Sequence, residues 1–147
     1  MKVFIGADHR GFHLKESLKR WLSSIGYDVR DCGAFSYNVA DDFPDFAFAV
    51  ADGVITHKEA RGIFVCGSGV GGMIAANKVK GIYCCLGMNK DVVEHSRRHD
   101  DCNVLSLSAD HTNAADAKAM IETFFETPFE PQERFLRRIR KIQAREQ

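Results

Sequence analysis

The sequence lacks the features that would place it in several specialised classes of protein. It has no apolar run that approaches the roughly 20 residues of a transmembrane helix, so we expect no membrane association. Its 20 Lys and Arg residues are balanced by 20 Asp and Glu residues, and without net positive charge we expect no nucleic-acid partner. The N-terminal residues enter a strand pattern directly, without signal-peptide anatomy, which predicts a cytoplasmic location. We find no internal repeat, so the 147 residues are expected to form a single domain.

The cysteines also lack the spacing of a special site. There are five, with no CxxC pair and no zinc-ligand spacing, so the sequence predicts no metal site. An odd number in a reducing compartment is most simply read as free thiols. These cysteines are Cys32, Cys66, Cys84, Cys85 and Cys102.

The rest of the chain alternates between two hydrophobic patterns. Short runs rich in β-branched and aromatic residues predict five strands, at 2–7, 27–32, 63–65, 82–86 and 104–107. Apolar residues at helical spacing predict helices at about 14–25, 46–54, 70–78, 90–98 and 114–125, and a basic helix within 130–147. Strands that alternate with such helices form parallel βαβ units. The sequence therefore predicts an α/β fold with a five-stranded parallel sheet and a C-terminal helix.

The stretch from Gly62 to Gly72 combines a strand, a glycine loop and a helix start. Four glycines follow Cys66 within six positions, although the spacing matches neither a Walker A loop nor GxGxxG. One interpretation is a tight strand-to-helix turn. The other is an anion site, because glycines let backbone amides turn toward a ligand and a helix N-terminus adds a positive dipole end.

Cys66 stands at the mouth of this loop. A buried cysteine at a strand end is usually inert and serves only packing. A thiol that faces a helix N-terminus, however, has a lowered pKa and can accept a proton. The placement favours this second interpretation, and we expect the other four cysteines to have packing roles.

Three further polar groups are candidates for a site. Asp8 and His9 follow the first strand, at the kind of edge where parallel sheets bind ligands. His99 could act as an acid or base near neutral pH, or simply belong to a surface turn. Arg134 and Arg138 are four residues apart on the last helix, where they could clamp a phosphate or form a solvated face.

These motifs, in register, resemble the type B ribose-5-phosphate isomerase family, which also includes the galactose-6-phosphate isomerase subunits. The resemblance covers nearly the whole chain and is carried by Asp8-His9, Cys66 to Gly71, Ala75 to Lys78, and His99 with Asn103 to Leu105. It implies a Rossmann-like α/β/α sandwich formed by one domain over 1–147. It also implies a homodimer or homotetramer with sites shared between subunits, a small sugar phosphate as substrate, and no metal or organic cofactor.

The resemblance further implies roles for residues in the glycine loop and after the fourth helix. Cys66 matches the base that moves a proton between C1 and C2 of the open-chain sugar, while Ser68 and His99 match residues assigned to ring opening. The loop amides match the donors that stabilise the enediolate intermediate. These amides belong to Gly67, Gly69, Val70 and Gly71.

The remaining implied contacts are with the sugar and its phosphate. Asp8 and His9 match residues that contact substrate hydroxyls and the phosphate end. Arg134 and Arg138 match a pair of arginines that the partner subunit contributes to hold the phosphate. The basic helix at 130–147 is accordingly expected to reach that subunit.

Two departures from the family pattern bear on the substrate. Asp100 stands where an asparagine usually follows the catalytic histidine, and Asp110 stands where an arginine usually binds phosphate. At position 100 a carboxylate would stand beside the anion hole, and at position 110 it would repel a phosphate dianion. The catalytic residues nevertheless match the family, and we expect interconversion of ribose 5-phosphate and ribulose 5-phosphate through a cis-enediolate. The alternatives are another aldose, namely allose 6-phosphate, galactose 6-phosphate or an unphosphorylated sugar, and a non-catalytic sugar-binding subunit.

Overall fold

The structure is a computed structural model of the chain and describes residues 1–146. Its five strands are β1 (Lys2–Ala7), β2 (Asp28–Asp31), β3 (Arg61–Cys66), β4 (Cys84–Leu86) and β5 (Val104–Ser108). Its helices are α1 (Phe12–Ser24), α2 (Phe43–Ile55), α3 (Val70–Ala76), α4 (Lys90–Asp100), α5 (Ala114–Glu126) and α6 (Glu133–Gln143). The basic C-terminal helix thus lies inside the range predicted for it, and residue 147 lies outside the described residues.

The strands form one sheet in the order β2-β1-β3-β5-β4, with every pairing parallel. This confirms the predicted five-stranded parallel sheet. Strand β4 is shorter than the predicted range 82–86, because the amide of Tyr83 donates to the side chain of Asn103 at 2.9 Å instead of joining the ladder.

Two hydrophobic cores lie on opposite faces of this sheet. In β1, Val3 and Ile5 belong to one core and Phe4 to the other, as expected from the two-residue period of a strand. Helices α1, α4 and α5 supply buried side chains to the first core, and α2 and α3 supply them to the second. The result is the three-layer α/β/α sandwich. No helix within residues 1–146 combines the length and apolarity needed to cross a membrane.

The sheet order places a topological switch point between β1 and β3. From β1 the chain moves outward to β2, and from β3 it moves toward β4 at the opposite edge. Parallel sheets bind ligands in the crevice outside the carboxyl ends of such neighbouring strands. Ala7 pairs with Val65 in the register, so Asp8 and Cys66 are the next residues along these two strands.

Candidate active site

A cavity of about 460 Å³ opens at this switch point. It brings together the predicted residues that follow β1 and those of the glycine loop. The lining residues are Asp8, His9, Arg10, Asp41, Asp42, Phe43, Cys66, Gly67, Ser68 and Gly71.

Asp8 fixes the turn that leaves β1. Its carboxylate is buried, and Oδ1 accepts hydrogen bonds from the amides of Arg10 at 3.0 Å and Gly11 at 3.1 Å. These bonds satisfy amide donors at the start of α1, as an Asx turn does. One carboxylate oxygen therefore holds the backbone of this turn at the edge of the cavity.

His9 is held by Asp41, a residue that the sequence did not single out. Oδ1 of Asp41 lies 2.7 Å from Nδ1 of His9 and also accepts the His9 amide at 2.9 Å. The Asp41 side chain is 8% exposed, and its Oδ2 has no hydrogen-bond partner among the described residues. A carboxylate at Nδ1 orients the imidazole and directs Nε2 away from Asp41. The only sequence signal for this contact was the acidic end of the 33–42 loop.

A buried lysine anchors the beginning of that loop. Lys15 of α1 is fully buried, and its Nζ donates to Asp31 at 2.9 Å and to the carbonyl of Ala34 at 2.5 Å. A buried charge is tolerated only when it is paired and hydrogen-bonded in this way. The pair fixes the chain where it leaves β2, on the way to Asp41.

Cys66 is 4% exposed at the end of β3. Burial raises the pKa of its thiol above the ordinary value, and the Asp8 carboxylate adds to the rise, while the amides of Gly72 and Gly69 lower it. The lowered pKa that we predicted from the helix N-terminus is therefore wrong. Loss of solvation outweighs the backbone donors, since α3 has only seven residues and the sulfur is enclosed.

Buried serines of β5 hold the glycine loop in place. Ser106 Oγ donates to the carbonyl of Gly69 at 2.6 Å, and Ser108 Oγ donates to the carbonyl of Gly67 at 2.7 Å. Gly69 has φ of +79°, a left-handed conformation that favours glycine. Within the loop, Ser68 Oγ accepts the Val70 amide at 3.2 Å. The serine contacts escaped sequence reasoning, because Ser106 and Ser108 alternate with apolar residues in an ordinary strand pattern.

Asp110 does not present a free carboxylate to the cavity. It forms an ion pair with Arg10, a lining residue that the sequence reasoning also overlooked. The expectation that Asp110 would repel phosphate did not include this partner, which lies 100 residues away in the sequence.

His99 lies in a different place from Cys66. On α4 it lines a separate cavity of about 270 Å³ together with His95 and Arg98. Its ring stacks on Phe135 of α6, with centroids 4.2 Å apart and an interplanar angle of 22°. Its Nδ1 lies 3.3 Å from Nε2 of His95. A single chain therefore does not bring His99 to the glycine loop.

The other three predicted residues near the C-terminus also stand apart. Arg134 and Arg138 are exposed on α6, and the guanidinium of Arg134 lies 4.7 Å from the ring centroid of Phe135. Asp100 lines another cavity, beside Cys85 and Cys102. The residues of the site implied by the family resemblance are thus distributed over separate surfaces of one chain.

One group of side chains has the composition of a small cation site. Asp8, His9 and Asp41 each offer a ligand atom, and these atoms lie within 4.8 Å of one another. No other group of three His, Cys, Asp or Glu residues within 1–146 meets this distance. The hydrogen bond between His9 and Asp41 accounts for the closeness of those two side chains. All five cysteines are free thiols, as predicted.

The sequence profile of a family described as Ribose/Galactose Isomerase matches residues 3–142. The chain belongs to this family. Ribose-5-phosphate isomerase B of Mycolicibacterium paratuberculosis is 37% identical over 139 residues, covering 95% of this chain and 87% of that protein. Ribose-5-phosphate isomerase B of Mycobacterium tuberculosis is 35% identical over 139 residues, covering 95% of this chain and 86% of that protein.

Solved structures of family members share the fold. Ribose-5-phosphate isomerase B from Mycoplasma genitalium with bound ribulose-5-phosphate matches with a TM-score of 0.93 and 38% identity, covering 99% of this chain and 95% of that one. Type B ribose 5-phosphate isomerase of Trypanosoma brucei matches with a TM-score of 0.91 and 40% identity, covering 98% and 97%. The predicted family and the Rossmann-like α/β/α fold are confirmed.

Proposed function

We propose that this chain is an aldose-ketose isomerase that interconverts ribose 5-phosphate and ribulose 5-phosphate. The observation that carries the proposal is the position of Cys66. In a ribose/galactose isomerase fold, a buried thiol and the Asp8-His9 pair line one cavity at the carboxyl ends of β1 and β3. Relatives named ribose-5-phosphate isomerase B cover most of the chain, and one solved relative holds ribulose-5-phosphate.

In this mechanism Cys66, as the thiolate, removes the proton from C2 of the open-chain aldose. The electron pair of that C–H bond forms the C1–C2 double bond, and O1 takes up the negative charge of the cis-enediolate. A proton then moves from O2 to O1, and the Cys66 thiol returns its proton to C1 to give the ketose. The amides of Gly67, Gly69, Val70 and Gly71 are the donors proposed to stabilise the enediolate oxygen.

The sugar is held by the turn after β1. Asp8 and His9 contact its hydroxyls and the phosphate end. The His9–Asp41 hydrogen bond supports this role, because it holds the ring in one orientation before the substrate arrives.

The remaining groups come from both copies of the chain. Ser68, in the Cys66 cavity of one copy, opens the sugar ring together with His99 of the other copy, whose Arg134 and Arg138 bind the phosphate. Asp100, which follows His99 at the end of α4, is the further substrate-binding residue. His99 lies outside the Cys66 cavity of its own chain, and its stacking on Phe135 keeps it together with the α6 arginines on one surface. This arrangement supports a homodimer, alone or paired into a tetramer, in which residues 130–147 of a single-domain subunit reach across. The free thiols support a cytoplasmic location.

The test is a panel of aldoses with two readouts, product formation and exchange of the C2 proton with solvent deuterium. We expect turnover and exchange with ribose 5-phosphate to exceed those with allose 6-phosphate, galactose 6-phosphate and free ribose. Higher turnover of another aldose would replace ribose 5-phosphate as the proposed substrate and leave the proposed type of reaction unchanged. Absence of exchange with every sugar would contradict the proposal and indicate a sugar-binding subunit.

A further inference from the structure

Within the described residues 1–146, Arg10 is the only lysine or arginine that lines the Cys66 cavity. The same wall carries three aspartates, Asp8, Asp41 and Asp42. A phosphate dianion entering the cavity of one chain is therefore repelled by most of the fixed charge it meets, and is attracted at Arg10. The Arg10 side chain is 57% exposed, so its guanidinium is accessible to a ligand.

The position of Arg10 is fixed by contacts with Asp110 and Gly67. Its Nη2 donates to the Asp110 carboxylate, and the amide of Asp110 donates in turn to the carbonyl of Gly67 at 3.0 Å. A Cβ on Gly67 would lie 2.7 Å from Nε and 2.8 Å from Cζ of Arg10. The guanidinium thus rests on the backbone of the glycine loop, and the three residues form a closed ring of contacts.

The ion pair with Asp110 leaves donors on Arg10 for a second anion. A guanidinium carries five N–H donors in a planar fork, and the hydrogen bond to Asp110 starts from Nη2. An arginine held on one side by a carboxylate loses less side-chain entropy when it binds a phosphate on the other. Asp110 therefore serves as a support for the cation at the cavity mouth.

We propose that Arg10, positioned by Asp110, determines specificity for the phosphate group of the substrate. This inference rests on the proposed sugar-phosphate isomerase function. A chain with Asp at position 110 needs another positive charge to bind the phosphate group. Arg10 supplies this charge, and Asp110 orients the Arg10 guanidinium. Arginines from a second copy add to this charge without replacing it.

The first test is Arg10→Gln, which removes the charge and keeps much of the side-chain length. We expect KM for ribose 5-phosphate to rise about tenfold or more, which corresponds to about 1.4 kcal/mol of binding, while kcat changes by less than about threefold. The matched control is Arg20→Gln, since Arg20 is an exposed arginine of α1 outside the cavity. This control should leave both constants unchanged.

The second test measures the role of Asp110 through a double-mutant cycle. Asp110→Asn should raise KM less than Arg10→Gln does, without lowering kcat, because the guanidinium remains but is less well oriented. The double variant should be no worse than Arg10→Gln alone, since Asp110 acts through Arg10. Additive losses in KM would contradict the positioning role.

Binding of inorganic phosphate, followed by titration calorimetry, makes the test independent of turnover. The wild-type protein should bind phosphate several-fold more tightly than Arg10→Gln. If the wild type isomerises ribose 5-phosphate while Arg10→Gln keeps wild-type KM and phosphate affinity, the inference about Arg10 is wrong and the proposed function stands. The opposite outcome is that the wild type isomerises no sugar phosphate while Arg10→Gln binds phosphate more weakly than the wild type does. In that case the proposed function fails, and Arg10 remains an anion-binding residue.

Discussion

Oδ1 of Asp41 lies 2.7 Å from Nδ1 of His9 and 2.9 Å from the backbone nitrogen of the same residue. One carboxylate oxygen thus holds both the ring and the backbone of His9. Because a carboxylate oxygen accepts hydrogen bonds, Nδ1–H is the donor in this pair, and Nε2 faces away from Asp41.

Replacing Asp41 with Ala should release this ring. We expect kcat/KM for ribose 5-phosphate to fall about tenfold or more, as for loss of a side chain that orients a functional histidine. Nitrogen NMR of His9 should show a shift from the Nδ1–H toward the Nε2–H tautomer, which a purely structural effect would not produce.

Asp41→Asn retains an acceptor at Oδ1 and should keep the wild-type tautomer. Asp52→Ala, at an exposed position of α2, is the control. An unchanged tautomer in Asp41→Ala would contradict the orienting role.

Cys66→Ser should abolish most turnover and leave the fold intact. A serine hydroxyl is too weakly acidic to act as the base, and general base catalysis contributes about 10²- to 10⁴-fold to a rate. We expect kcat to fall within that range while the thermal melting temperature shifts little. Cys32→Ser is the matched control, since Cys32 lies outside the cavity. Near-wild-type turnover by Cys66→Ser would exclude Cys66 as the base.

The raised pKa of Cys66 predicts how activity depends on pH. The base must be deprotonated, and burial holds its pKa above the ordinary thiol value. Because the thiolate fraction grows as pH approaches this pKa from below, kcat/KM should rise steadily over roughly pH 7 to 9. Alkylation of Cys66 by iodoacetamide, followed by peptide mass spectrometry, should accelerate over the same range. A plateau in both rates from pH 7 upward would mean that Cys66 is already a thiolate at neutral pH.

Mixing two inactive variants tests whether His99 serves the site of a partner. Cys66→Ala removes the base and His99→Asn removes the ring-opening group, so each homodimer should be inactive. In a mixed dimer with shared sites, Cys66 of one subunit meets His99 of the other and forms one intact site. About a quarter of wild-type activity is expected after co-refolding equal amounts, from random pairing in a two-fold dimer. No recovery in dimers shown to be mixed would place His99 in the site of its own subunit.

The sequence by itself determined the order of the elements and the location of the glycine loop. Strand and helix periodicities are local, because each is set by which neighbouring side chains face the core, so they were readable within short windows. The same locality made Cys66 stand out between β3 and the loop. Helix α4 and strand β5 followed from such patterns. The predicted range of β4 was too long, because the Tyr83 amide donates to the side chain of Asn103, 20 residues away.

Only the tertiary structure decided which distant side chains meet and how their environment changes them. Asp41 reaches His9 across 32 residues because β2 lies beside β1, and Asp110 reaches Arg10 across 100 because only β3 separates β1 from β5. The sequence suggested a lowered pKa for Cys66, but burial in the core that α2 and α3 cover raised it. Burial and long-range pairing depend on the whole fold, and no local window of the sequence contains them.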